Sequence, residues 1–187
     1  MRPRVTVDRV ARTGAELADE VGFEQLTVAE VARRLDVQVA SLYSHVDGLA
    51  DLRARVSCLA LEELAARTSD ALAGRSGPEA LRALGDVYRD YAVTHPGRYD
   101  AARSPLEPEV AAASAGPRLA TLMRAVLHGY RLDEPDETHA VRLLGSLVHG
   151  FVSLERSGAF SHSSPGSEES WDRILGGLDA MLGAWRR

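Results

Sequence analysis

The stretch LTVAEVARRLDVQVASLYSHV, residues 26–46, constrains the fold more than any other part of the chain. Val28, Val31, Ala32 and Leu35 repeat at the spacing of one helical face, and Val39, Leu42 and Val46 do so again. Thr27 and Glu30 stand at capping-box spacing, which starts the first of these helices at Thr27. Only a few residues separate Leu35 from Val39. Two helices joined so tightly cannot lie antiparallel; they cross steeply, as in a helix-turn-helix unit. Asp36 falls in the turn, where the chain needs a left-handed backbone and Asp is a tolerated second choice after Gly.

The flanking residues extend this unit. Val10, Gly14, Leu17, Ala18 and Val21 mark a preceding helix, which Gly22 ends. Leu52, Val56, Leu59, Ala60 and Leu64 mark a long helix behind it, running to about Ala73. On the second short helix Leu42 and Val46 point inward. Gln38, Ala40 and Ser41, then Tyr43, Ser44 and His45, are left facing outward or sideways, and Val39 among them is a further candidate DNA contact. Their chemistry suits DNA. Gln38 matches an adenine edge, Ala40 a thymine methyl group, and Ser41 either kind of base. Tyr43 and His45 donate to phosphate oxygens without full charge, and Thr27 lies at the start of the neighbouring helix. Arg2 and Arg4, in an N-terminal arm, supply positive charge beside them. On the residues alone a second reading stays open, in which Tyr43 and His45 cap a small helical core.

The formal net charge is −5, and every basic side chain is Arg. An acidic total argues against a protein that coats nucleic acid without sequence preference, but leaves room for a reader with a few placed contacts. Cys58 is the only cysteine, which excludes an internal disulfide and a cysteine zinc site, and its apolar neighbours VSCLAL suit a buried structural thiol. The six His form no H-E-x-x-H, no G-x-S-x-G elbow occurs, and GRSGPEA lacks the Lys of a P-loop. No catalysis, metal or cofactor is expected. No apolar run reaches the length of a membrane span, and the N-terminus lacks the apolar core of a signal peptide, so a cytoplasmic location is expected.

The remaining chain reads as further helices with no strand alternation, so the fold class is all-α. Pro78 opens a helix carrying Leu81, Leu84, Tyr88, Tyr91 and His95, and Pro96 with Gly97 ends it. Residues 98–104 read as a short helix or as irregular chain, and 105–117 as mixed; a helix follows from about Arg118. In THAVRLLGSLVHGFVSLERSGAF, Ala140, Leu144, Leu147, Phe151 and Leu154 form one stripe, and Val141, Val148 and Val152 a second. Apolar surface on two sides predicts two neighbours, the chain's own core and a second subunit. With Trp171, Leu178, Met181 and Trp185 of the last helix, Val141, Val148 and Val152 are the candidates for that subunit interface. Tyr88, Tyr91, Tyr99, Met123 and Leu127 suit a small organic ligand, as do His149, Phe151 and Trp171, with Arg103 able to take an anionic group. The same residues serve equally as ordinary core.

Residues 26–56, and SLYSHV above all, resemble the TetR family of bacterial one-component regulators. The family pattern is a capped helix, a tight turn, a short recognition helix ending in L-Y-x-H-[FV] and a long helix behind. The resemblance implies a homodimer on a palindromic operator, with the recognition helix in the major groove and Tyr43 and His45 on phosphates. Three positions depart from the family: Asp36 stands where Gly is usual, Gln38 where Ser often caps, and Leu49 where a Lys binds phosphate. SLVHGFVSLERSG and THPGRYDAAR resemble the C-terminal domain named for its Trp-His-Gly motif, with Leu147 at the Trp position. The chain is thus expected to comprise a DNA-binding domain, residues 1–57, and a helical ligand-binding and dimerisation domain, residues 58–187, joined through a shared helix. The expected function is a sequence-specific regulator, a repressor released from its operator by a small organic effector. The rival is a helical regulator controlled by a protein partner, without such an effector.

Overall fold

The computed structural model describes residues 4–185, and among them every regular element is helical. Helix α1, Val7–Val21, begins where the Thr6 hydroxyl accepts the Arg9 N–H at 3.2 Å. It stops at Gly22, whose φ of +95° suits glycine and whose N–H donates to the Ala18 carbonyl. A 3-10 turn, Phe23–Gln25, buries Phe23. Helix α2, Val28–Leu35, starts as its sequence predicts, with the Thr27 hydroxyl accepting the Glu30 N–H at 3.2 Å. Glu30 does not complete the capping box: its carboxylate takes the Arg33 guanidinium instead.

The turn after α2 is a Schellman motif. Asp36 is left-handed, at φ 56° and ψ 47°. Its N–H donates to the Arg33 carbonyl, and the Val37 N–H donates to the Ala32 carbonyl, both at 3.1 Å. Helix α3 covers only Val39–Leu42, shorter than the periodicity to Val46 predicts. Hydrogen bonds from the His45 and Val46 N–H groups to the Leu42 carbonyl carry the chain on as turns. The Ser44 hydroxyl donates to the Ser41 carbonyl at 2.8 Å, the local competition by which Ser disfavours a continuing helix. Helix α4, Gly48–Leu72, then runs without a break.

The chain divides into two compact units, and the division differs from a simple cut near Cys58. The first unit holds the chain up to Ala65 together with Thr94–Pro117. Its core gathers Val10, Leu17, Val31, Leu42, Leu52 and Val56. Gly14 lets α1 and α4 close on each other, since a Cβ there would lie 2.9 Å from Val56 Cγ2. The returning segment contains α6, Pro96–Ala102, and α7, Pro108–Ala113. Pro96 therefore starts a helix rather than ending one: α5, Gly77–Thr94, has already stopped, and the ring sits at the N1 position of α6. Gly97 rests on α1 so closely that a Cβ would stand 1.9 Å from the Ala18 carbonyl oxygen. Asp19 completes this joint. It accepts the Arg98 backbone N–H at 2.8 Å and faces His95 Nδ1 at 3.2 Å, while the Arg98 guanidinium reaches Glu63 of α4.

The second unit holds Ala66–Val93 and the chain from Arg118 onward. It contains most of α5 and of α8, Gly116–Leu127, a 3-10 turn at His128–Tyr130, α9, Asp136–Arg156, and α10, Ser167–Ala184. Trp171 anchors it. A Cβ on Gly85 of α5 would meet the indole at 2.8 Å, the Phe151 ring lies 4.8 Å away, and the indole N–H donates to Asp86 at 2.7 Å. Arg89 crosses beside these rings and grips both Glu155 oxygens, at 2.7 and 2.8 Å, binding α5 to α9. Tyr130 donates to Asp179 at 2.7 Å; burial and that carboxylate push its hydroxyl pKa up.

Candidate nucleic-acid interface

The surface that α3 leaves to solvent is uncharged and rich in donors. Gln38, Val39, Ala40, Ser41, Tyr43 and Ser44 are all exposed, Tyr43 to 57%. Leu42 and Val46, on the other side, are buried beneath them with Val31 and Leu35 of α2. This division follows from the sequence period, because one apolar face fixes which residues remain outside. His45 is half-buried at the edge of the same surface, and Thr27 is exposed although its hydroxyl is used as a cap. Gln38 makes no side-chain cap, so its amide is not used to hold α3. The Ser44 hydroxyl already has a backbone partner, which leaves Ser41 as the freer of the two serines. Arg4 is exposed; Arg2 lies outside the described residues.

Four arginines around this surface are engaged within the protein. Arg33 pairs with Glu30, Arg34 with Glu20, Arg53 with the Glu24 carboxylate and carbonyl, and Arg55 with Asp51. Hydrogen bonds from Arg34 and Arg33 hold the Glu20 and Glu30 carboxyls below their ordinary values. Such exposed pairs add little stability. Their effect is electrostatic: each guanidinium arrives with its charge already balanced. Sequence reasoning missed the Arg34–Glu20 pair, since Glu20 lies 14 residues from Arg34 and no periodicity joins them, whereas Arg33–Glu30 and Arg55–Asp51 are neighbours one turn apart on a single helix.

The residues expected to line a ligand pocket divide between the two units. Tyr99 is buried in the first unit, with the Arg103 guanidinium 5.6 Å over its ring. Tyr88, Tyr91, Leu127, Phe151 and Trp171 are buried in the second, where Tyr88 meets His149 edge-on at 5.7 Å and Met123 is half-buried. The interface candidates divide as well. Val148, Val152, Trp171 and Leu178 are buried in the chain's own core, so they do not present a face to a partner. Of that set Met181 is exposed, and Val141 and Trp185 are half-buried. The apolar surface that α9 and α10 do expose includes Leu154, Ile174 and Met181.

Among the described residues no group of side chains is arranged to hold a metal ion, and no helix is long and apolar enough to cross a membrane.

Two family models match the chain. One, described as bacterial regulatory proteins of the tetR family, covers residues 4–55; the other, a Tetracyclin repressor-like C-terminal domain, covers residues 81–178 and so includes both C-terminal patches noted in the sequence. The chain is 38% identical over 144 residues to the uncharacterized HTH-type transcriptional regulator Rv0681 of Mycobacterium tuberculosis, a match spanning 75% of this chain and 65% of that relative. Among solved structures it resembles the TetR regulator SCO7222 of Streptomyces coelicolor, with a TM-score of 0.76 and 17% identity over 98% of this chain and all of the other. It also resembles a TetR variant of Acinetobacter baumannii in complex with minocycline, with a TM-score of 0.71 and 21% identity over 98% and 99% of the two chains. At those identities the structural likeness speaks for the fold, and the sequence matches carry the assignment. The chain belongs to the TetR family of transcriptional regulators, which are DNA-binding proteins and not enzymes.

Proposed function

We propose that this protein is a cytoplasmic repressor that binds a palindromic operator as a homodimer and leaves it when a small organic effector binds. The observation that carries the reading is the α3 surface: exposed, uncharged donors over a fully buried apolar face. In this reading Gln38, Val39, Ala40 and Ser41 meet base edges in the major groove. Tyr43 and His45 donate to phosphates and set the register, with Thr27, Ser44 and the N-terminal arginines beside them. The exposed apolar positions of α9 and α10, Leu154, Ile174 and Met181, support pairing with a second copy. Pairing places the two readers one helical repeat apart, about 34–36 Å, and an effector acts by spoiling that spacing. The structural relative held with minocycline supports a small molecule in that role.

Selection of bound duplexes from a random pool tests the reading. A palindromic consensus is expected, and Tyr43→Ala with His45→Ala should abolish its binding while the helical circular-dichroism signal and unfolding midpoint stay as they were. A monomer without preference among duplexes at low salt would sink it. A thermal-shift screen separates an effector from control by a protein partner, because a sensor is stabilised by the compound it binds.

A further inference from the structure

Three helices far apart in sequence wall a cleft of about 560 Å³ in the first unit, within the range of small-molecule sites. Val7 and Ala11 come from α1, Ala54, Cys58 and Leu59 from α4, and Val110 from α7. Cys58, Glu62 and Val110 lead on into an adjoining hollow that Glu109, Ala113 and Ser114 close. The floor is apolar. No side chain of its α7 wall is fully buried, so half-buried Val110 and exposed Ala113 lose further water when something fills the space.

The charges select the occupant. Asp8, Asp51, Glu62 and Glu109 face the cleft and its hollow, against Arg12 and Arg55. Arg55 is matched to Asp51 at 2.9 Å, so the lining carries more negative than positive charge, and among the described residues the hollow around Glu109 has no cation in its walls. We infer that this cleft binds lipophilic cations, the apolar body lying between α1 and α4 and the positive head toward Glu109. This deepens the effector reading by giving a ligand class and a place, and rests on that reading only for its consequence at DNA. A body wedged there presses on α1 and α4, the two helices whose approach at Gly14 and Val56 supports the reader.

Cys58 is the chain's only cysteine and forms part of the floor, so its rate of reaction with a small disulfide reagent reports occupancy. Burial pushes its thiol pKa up, and the reaction is therefore followed at mildly alkaline pH. The probes are tetraphenylphosphonium and its isosteric anion tetraphenylborate. The cation is expected to slow Cys58 modification saturably, and the anion to leave it unchanged at equal concentration. Asp8→Asn with Glu109→Gln, both at exposed positions, should raise the half-protecting concentration about tenfold. Ala54→Trp should fill the slot and remove protection; if it does not fold, the charge variants decide. No protection at millimolar cation, equal protection by the anion, or an unchanged affinity in the charge variants would each overturn the inference. A compound that frees the operator while Cys58 reacts at full speed would also overturn the placement and leave the effector reading standing. Saturable protection with no cation altering operator affinity would uphold the site and count against its being the effector's.

Discussion

Asp36 holds the tightest backbone in the reader. Its φ of 56° lies where a Cβ crowds the following carbonyl, a cost that Asp meets partly and Gly avoids. The Schellman hydrogen bonds from the Asp36 and Val37 N–H groups depend on that conformation, and with them the crossing of α2 and α3. Asp36→Gly is expected to raise the unfolding free energy by about 0.5–1 kcal/mol, the gain from lifting the left-handed penalty, net of glycine's added freedom in the unfolded chain. Asp36→Val should lower it by about 1–2 kcal/mol, because a β-branched residue tolerates this region worst. Urea unfolding of the three proteins checks the order, and equal midpoints would show that the turn is not strained. The turn was legible because sequence places a polar residue between two apolar sets with too little chain for anything else. The pairing of Arg34 with Glu20 was not, because which carboxylate captures that guanidinium depends on tertiary distances.

Helix α6 shows where reading by element fails. Pro followed by Gly after a helical run reads as a terminator, and the preceding helix does stop at Thr94. Yet Pro lacks only an N–H that the first turn of a helix does not use, so the same dipeptide starts α6. The reason for Gly97 is not local at all: it is the room α6 needs to touch the α1 backbone. That contact brings residues 94–117 into the unit of the DNA reader, so a segment more than seventy residues along the chain buttresses α1 through Asp19 and Arg98. Gly97→Ala puts a methyl group into the Ala18 carbonyl and must push α6 away. A loss of about 3 kcal/mol is expected, at the upper end for overpacking, with operator affinity falling at temperatures where the variant is still folded. Gly145, whose Cβ would meet nothing, is the control: Ala there should leave the midpoint level or higher. A Gly97→Ala protein as stable as the parent would mean that α6 is not held against α1.

Charge is the property of the whole chain that bears most directly on its work. Net charge is −5, and the arginines flanking α3 arrive paired with carboxylates, so few counterions are displaced when this protein meets a duplex. Neutral donors such as Tyr43 and Ser41 release none. Composition made this legible in outline, since an acidic total argues against a nonspecific binder, but the degree of internal pairing required the fold. The same physics sets the salt dependence. Each phosphate neutralised contributes roughly −0.9 to the slope of log affinity against log salt. A dimer that uses one or two free cations per subunit should therefore show a slope of about −2 to −4 on its selected operator. Leu49, 38% exposed in the first turn of α4, stands where the family places a phosphate-binding Lys, which makes it the site for a gain-of-function check. Leu49→Lys adds one cation per subunit, so the slope should steepen by about 1.8 for the dimer, with the gain in affinity largest at low salt. Titrations at several salt concentrations measure both proteins. A slope near −10 for the parent would mean that the arginines abandon their carboxylates for phosphate on binding. An unchanged slope in Leu49→Lys would mean that the start of α4 does not face the backbone.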